Sequence, residues 1–306
     1  MRWLQQLYPT TTGAVDLLQP DLLAERHVVN QLVKYKELSK TCFIDLSEAR
    51  KVQALTVLAR GCAHHDKAGG LLDELLHNNL AEFAAAAITV TLQTSPNLGD
   101  RLATAIHEAP VSDEALREIH TKIPYPTVAL SATQLAVVQR IRQSLSPEAD
   151  SVETAGWTAD LAIALAQQGR VEEALKASTE TVGIRRELAE ARPDAFRPDL
   201  AASLTNQASF LAGLGRVEEA LKASTEAVGF YRELAEARPD AFRLDLAASL
   251  TNQTLILRAL ERRDEALKTI TEAIAVWRVL AARQPDLYQD RLNMVLALRD
   301  QLNDGE

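Results

Sequence analysis

The twelve residues GRVEEALKASTE occupy positions 169–180 and recur unchanged at 215–226, 46 residues later. The identity extends further. Over 169–207 against 215–253, 35 of 39 positions agree, the exceptions being Thr181/Ala227, Ile184/Phe230, Arg185/Tyr231 and Pro198/Leu244. A diverged third copy, ERRDEALKTITEAIAVWRVLAARQPDLY, spans 261–288, and WTADLAIALAQQGR at 157–170 stands in the register of SLTNQASFLAGLGR at 203–216. This period constrains the fold more than any other feature of the chain. A unit of this size cannot bury its own apolar face, so copies must stack, each offering its neighbour the same surface.

Each unit reads as two helices. Within 217–237 the residues Val217, Ala220, Leu221, Ser224, Val228, Tyr231, Leu234 and Ala235 fall at steps of three and four, forming one stripe with Ser224 as its small polar exception. Glu218 and Lys222 form a helix-favouring pair on the other face. Pro239 is expected to stop this helix, and Asp240 to cap the next one, which carries Phe242, Leu246, Leu250 and Leu257 along one side. Gly215 sits where a helix C-terminus wants glycine. Gly183 and Gly229 lie inside second helices, where glycine costs ~1 kcal/mol against alanine. Close helix packing and simple drift are both open explanations, the third copy having Ala275.

This pattern resembles the tetratricopeptide repeat. With Gly215 as the inter-helix glycine, the family's three small positions fall on Ala208, Ala220 and Ala227 in one copy. They fall on Ala162, Ala174 and Thr181 before it and on Thr254, Ala266 and Ala273 after it. Leu204, Leu211 and Ser224 stand where the family usually has aromatic residues. The 46-residue unit exceeds the common form by about three helical turns, as in long-helix variants similar to the kinesin light-chain repeat. The resemblance implies an all-α, right-handed α-solenoid of antiparallel helix hairpins over 148–306, closed by a C-terminal capping helix.

The first half also reads as helices, over 20–36, 46–63, 70–77, 79–93, 97–108, 112–121 and 128–145. Together they make an irregular helical-repeat region across 20–147. Asp45, Asn97 and Ser112 are the expected N-caps, with Glu48 at capping-box spacing from Asp45. RWLQQLYP (2–9), LLQPDLLAERHVVNQL (17–32), ALTVLARGCAHH (54–65) and IPYPTVALSATQLAVVQRI (123–141) resemble the region after the nucleotidase in STAND NTPases. That resemblance implies a winged-helix remnant at 1–19 and a chain that starts after the nucleotidase.

Charge and motifs narrow the function. Net charge is −9, with 14 basic against 17 acidic residues up to 150 and 19 against 25 beyond, and no basic patch suited to nucleic acid. The longest apolar run, FAAAAITVTL at 83–92, is too short to span a bilayer and reads as a buried helix. The N-terminus lacks a signal-peptide core. Two cysteines, Cys42 and Cys62, offer no disulfide framework, so a cytoplasmic home is expected. No phosphate-cradling G-x-x-x-x-G-K-[ST] exists, so Asp73-Glu74 reads as a solvated helix face rather than a Walker-B pair. Cys62, His64 and His65 lack a second ligand pair for zinc, and the helix dipole accounts for histidines at a helix end. No nucleophile elbow occurs. The expectation is a non-catalytic chain with no metal or cofactor.

In tetratricopeptide solenoids the first helix of each unit lines the concave groove. The resemblance therefore implies a partner-binding surface at Ala159, Asp160, Ile163, Thr205, Asn206, Ser209, Thr251, Asn252, Leu255 and Arg258. Asn206 and Asn252 match the asparagine that long-repeat relatives use on a bound peptide backbone, Asp160 departing from it. An asparagine can donate and accept, which suits an amide; bonding to neighbouring helices is the alternative. The expected role is a scaffold or sensor for a protein or peptide, with self-association open. The alternative is a detached regulatory part of a STAND-type ATPase in defence or transcriptional control.

Overall fold

A computed structural model describes residues 22–35, 41–63, 65, 67–146 and 148–304; the expected remnant at 1–19 lies outside them. The described residues form fourteen α-helices and no strand. They divide between Ser144 and Leu145 into two compact units.

The first unit holds α1 (Leu22–Lys34), α2 (Glu48–Gly61), α3 (Ala68–Asn78), α4 (Leu80–Gln93), α5 (Leu98–Glu108), α6 (Asp113–Lys122) and α7 (Ser131–Ser144). Most neighbours in sequence touch, and each helix also packs against the next but one, from α1 on α3 through to α5 on α7. Leu58, Leu72, Phe83, Leu102, Leu116 and Ile141 are buried between them. The run 83–92 lies in α4, which is mostly buried as expected. Polar side chains tie the layers together. Buried Glu25 accepts from Arg60 at 3.2 Å, and Arg140 donates to the Ile106 and Ala109 carbonyls, both at 2.7 Å, closing the end of α5.

The caps differ in part from expectation. Ser112 Oγ accepts from the Ala115 amide at 3.3 Å, as its position predicts. Asp45 does not cap α2. Its φ is 52°, a left-handed conformation aspartate tolerates, and Ser47 holds the N-cap position instead. Glu48, freed from any capping box, pairs with Lys51 at 2.8 Å. Asn97 is at the N-cap of α5 but is itself helical (φ −63°, ψ −14°), so its side chain makes no capping bond.

The second unit holds α8 (Ser151–Gln167), α9 (Val171–Ala191), α10 (Pro193–Gly213), α11 (Val217–Ala237), α12 (Pro239–Ala259), α13 (Arg263–Arg283) and α14 (Pro285–Asp304). Every helix packs on the next, and the first helices of successive units also meet, α8 with α10 and α10 with α12. The first helices thus crowd together and the second helices, α9, α11 and α13, stand further apart. That is the geometry of an array whose inner face is made by α8, α10 and α12. The core crosses repeat boundaries: Leu175 of α9, Leu204 of α10, Ala223 of α11 and Ile256 of α12 share one cluster.

The repeated phrase now has a structural meaning. At the end of α10, Arg216 N–H bonds Leu211 O at 2.9 Å and Gly215 N–H bonds Ala212 O at 3.0 Å, the paired pattern of a Schellman turn, with Gly215 at φ 74°. Arg216 then turns its guanidinium onto Glu219 in the first turn of α11, at 2.7 and 2.6 Å. Arg170–Glu173 and Arg262–Glu265 repeat that clamp. The third turn places Glu261 at φ 57° where the others have glycine.

α11 ends just before Pro239 as expected, and one local reading is corrected. Pro239 occupies the first turn of α12, where its missing N–H costs nothing, and α11 has already ended at Ala237. Asp240 follows inside the same turn and is not the N-cap; its carboxylate takes a hydrogen bond from Arg283. A side chain at Gly183 or Gly229 would meet no atom of a neighbouring helix within 4 Å of its Cβ, which removes the packing explanation.

Candidate functional site

The inner face is built from α8, α10 and α12. Their shared register puts Asp160, Asn206 and Asn252 at equivalent stations, all half-buried. Neither Asn206 nor Asn252 makes a side-chain hydrogen bond among the described residues, so the neighbouring helices do not use them. Ile163 is half-buried, and Ser209, Leu255 and Arg258 are exposed. Ser209 Oγ bonds back to Thr205 O at 3.1 Å, and Arg258 reaches Gln301 of α14 at 3.4 Å. Thr205 links α10 to α12 through Ser249 at 3.2 Å. Thr251 is the exception. It is buried, donates to Ala247 O at 2.7 Å and accepts from the Trp277 indole at 3.1 Å, so its hydroxyl is spent inside the array.

Beneath these residues lies a station at which the three copies carry three different large side chains: Arg185, Tyr231 and Trp277. Each leans from a second helix toward the first helices. Arg185 donates to Asp199 O at 3.0 Å and Ser203 Oγ at 2.6 Å. Burial pulls its pKa down, against the opposing pull of the Asp199 and Asp160 carboxylates. Tyr231 is buried, and burial pushes its phenol up, with Asp245 and Asp199 adding to the shift. Trp277 packs at 6.0 Å from Tyr288.

Sequence reasoning passed over Asp199 and Asp245. Each stands seven residues before an asparagine, Asn206 or Asn252, which is two helical turns and hence one face. The repeated Asp-x6-Asn spacing was the available signal. Burial pushes the Asp245 carboxyl up, and among the described residues it has no hydrogen bond or ion pair.

The opposite face carries a groove of about 870 Å³ between α9 and α11, floored by α10 through Leu204, Gln207 and Leu211. It exists because the second helices stand apart. Its charges are largely paired across repeats, as in Arg186–Glu226 at 2.7 Å, and Arg232–Glu272 repeats that bridge at 2.8 Å.

The first unit offers little chemistry. Asp73 pairs with Arg101 at 2.6 Å across α3 and α5. Cys62 Sγ bonds Leu58 O at 3.2 Å, and burial pushes its thiol up, away from the reactive thiolate. His65 Nδ1 accepts from the Lys67 amide at 3.2 Å; His64 lies outside the described residues. No group of three or more His, Cys, Asp or Glu among the described residues could hold a metal ion. No helix among them is long and apolar enough to cross a membrane.

Comparison with known proteins agrees with the repeat geometry. Residues 154–194 match a tetratricopeptide repeat family model. No curated protein matches the chain. Among solved structures, a putative kinesin light chain from Podosopora anserina with nearly identical TPR-like repeats is 17% identical. That match covers 78% of this chain and 99% of the other, at a TM-score of 0.39. BtubC (BKLC) from P. vanneervenii is 15% identical over 77% of this chain and 93% of its own, at 0.39. The apo form of RapI is 9% identical over 85% and 77%, at 0.46. These superpositions are loose, and the assignment rests on the helix pairing, the repeated turn and the family match. Residues 154–194 thus match a tetratricopeptide repeat, and the later helix pairs of the second unit repeat that arrangement at the 46-residue period.

Proposed function

We propose that the chain is a non-catalytic interaction module of the cytoplasm that binds an extended peptide or protein segment along the face made by α8, α10 and α12. The observation that carries this reading is the pair Asn206 and Asn252. Two half-buried amides at the same station of adjacent repeats make no side-chain hydrogen bond among the described residues. Each can donate to and accept from a peptide backbone, and their 46-residue register gives a segment two anchoring points. The neighbouring residues Ser209 and Leu255 supply one polar and one apolar contact beside them.

A pull-down from native cytoplasm, comparing wild type with an Asn206→Ala/Asn252→Ala variant, tests it. Loss of one or more partners from the variant supports the groove; equal recovery of every partner removes the asparagines from the account.

A further inference from the structure

We propose that the segment bound on this face is basic, with a lysine or arginine side chain seated beside Asp245 and Tyr231. The proposal rests on the groove reading above and names the chemistry of its occupant.

The argument comes from one station seen twice in the same chain. In the first instance, Arg185 crosses from α9 to α10 and donates to Asp199 O and Ser203 Oγ, with the Asp160 and Asp199 carboxylates close by. The chain supplies its own cation there. In the second instance the backbone and nearly all side chains are the same, 46 residues on, but Tyr231 replaces the arginine. Ser249, the counterpart of Ser203, turns to Thr205. Asp245 is half-buried where its counterpart Asp199 is exposed, and among the described residues it has no hydrogen bond or ion pair. Tyr231 is uncharged, and makes no hydrogen bond to it. A carboxylate withdrawn from water without a partner is unfavourable, and a cation arriving from outside offsets that cost. Arg185 shows that a cation fits between a second helix and the next first helix, held by a backbone carbonyl and a serine hydroxyl with the Asp199 carboxylate near enough to act on it.

The surroundings agree in sign. In the register of Asp245 the preceding first helices carry Asp199 and Glu153, and in the register of Asn252 the first repeat carries Asp160. Arg185 is the cation that acts on the Asp199 and Asp160 carboxylates from α9; Arg258 reaches Gln301 of α14, and Arg291 lies in α14 itself. Two turns beyond Asp245 the unpaired Asn252 and exposed Leu255 continue the same surface. A lysine at Asp245 with backbone contacts at Asn252, two turns along α12, and at Asn206, its equivalent on α10, therefore uses three neighbouring stations.

The test uses the full chain and two labelled peptides, one of alternating lysine and alanine and one of alternating glutamate and alanine, read by fluorescence anisotropy at low and at physiological salt. The lysine peptide should bind and the glutamate peptide should not. Asp245→Asn should weaken binding roughly tenfold, the scale of losing one partly desolvated charge pair. Tyr231→Arg, which gives the second station the internal cation of the first, should do the same and should fold, since Arg185 already occupies that environment. Glu236→Gln, an equal charge change on the outer part of α11, should leave binding unchanged. Equal losses for Glu236→Gln and Asp245→Asn, or a preference for the glutamate peptide, would overturn the proposal. Loss of binding in Asn206→Ala/Asn252→Ala with none in Asp245→Asn would sink the cation station while leaving the groove. No effect of any of these on lysine-peptide binding would sink both.

Discussion

Three glycines that look alike in sequence should respond to alanine in opposite ways. Gly183 and Gly229 lie in the middle of α9 and α11, and a Cβ at either meets no heavy atom within 4 Å. Gly99 lies in the first turn of α5, and a Cβ there would sit 2.3 Å from the Ala129 carbonyl oxygen and 3.2 Å from Thr91 Cγ2. Its own carbonyl also accepts from Thr133 Oγ1 at 2.8 Å. Alanine at 183 and 229 recovers helix propensity worth up to ~1 kcal/mol at each site, with nothing to displace. The double variant should therefore gain about 1–2 kcal/mol, or roughly 2–8 °C in the melting of a unit this size. Gly99→Ala must push a backbone oxygen by about 1 Å, which places it at or beyond the usual ~1–3 kcal/mol cost of overpacking. Urea titration followed by far-UV circular dichroism reads both changes. A loss of stability in Gly183→Ala/Gly229→Ala would mean that these helices press closer than described. A neutral Gly99→Ala would mean that α5 and α7 are not locked together at that contact.

Three further outcomes follow from particular residues. Glu261→Gly should stabilise the array by ~1 kcal/mol, because it relieves a left-handed side-chain conformation that Gly169 and Gly215 avoid; a lower urea midpoint would refute this. Trp277→Ala should cost ~3–5 kcal/mol, since it empties a buried site and removes the indole's hydrogen bond to Thr251; calorimetry measures it, and a change below ~1 kcal/mol would contradict the packing described. Asp245→Asn should stabilise the free protein near neutral pH. Burial raises this carboxyl in the folded state, so folding favours its protonated form, and the penalty appears as pH rises through the ordinary aspartate range. The advantage of the variant should vanish below that range, and melting curves at neutral and acidic pH would expose an advantage that failed to close.

The array was legible because identity at a fixed period is a statement about packing. Gly215 marked the turn, and the stripe through Val217, Ala220 and Val228 marked the buried face, before any geometry was known. What stayed hidden depended on local competition for the same atoms. Asp45 and Asp240 have the chemistry of caps, yet one is passed over for Ser47 and the other is claimed by Arg283 from 43 residues away. Thr251 and Asn252 are adjacent in sequence, and only the fold shows that Trp277 takes the first while no described side chain takes the second. Asp245 escaped notice because its distinctive property is burial without a partner among the described residues, in a copy that otherwise barely differs from the one where Asp199 is exposed. The groove between α9 and α11 follows from second helices standing apart, a spacing that periodicity does not encode.

The central claim is that the inner face, not the outer groove, receives the partner. Peptides selected by display against the full chain would be retested on Asn206→Ala/Asn252→Ala and on Thr179→Arg, whose long side chain plugs the outer groove that Thr179 helps line. The account predicts that the asparagine variant loses the selected peptides while Thr179→Arg binds them like wild type. Retention by the asparagine variant with loss in Thr179→Arg would place the site on the opposite face and contradict it.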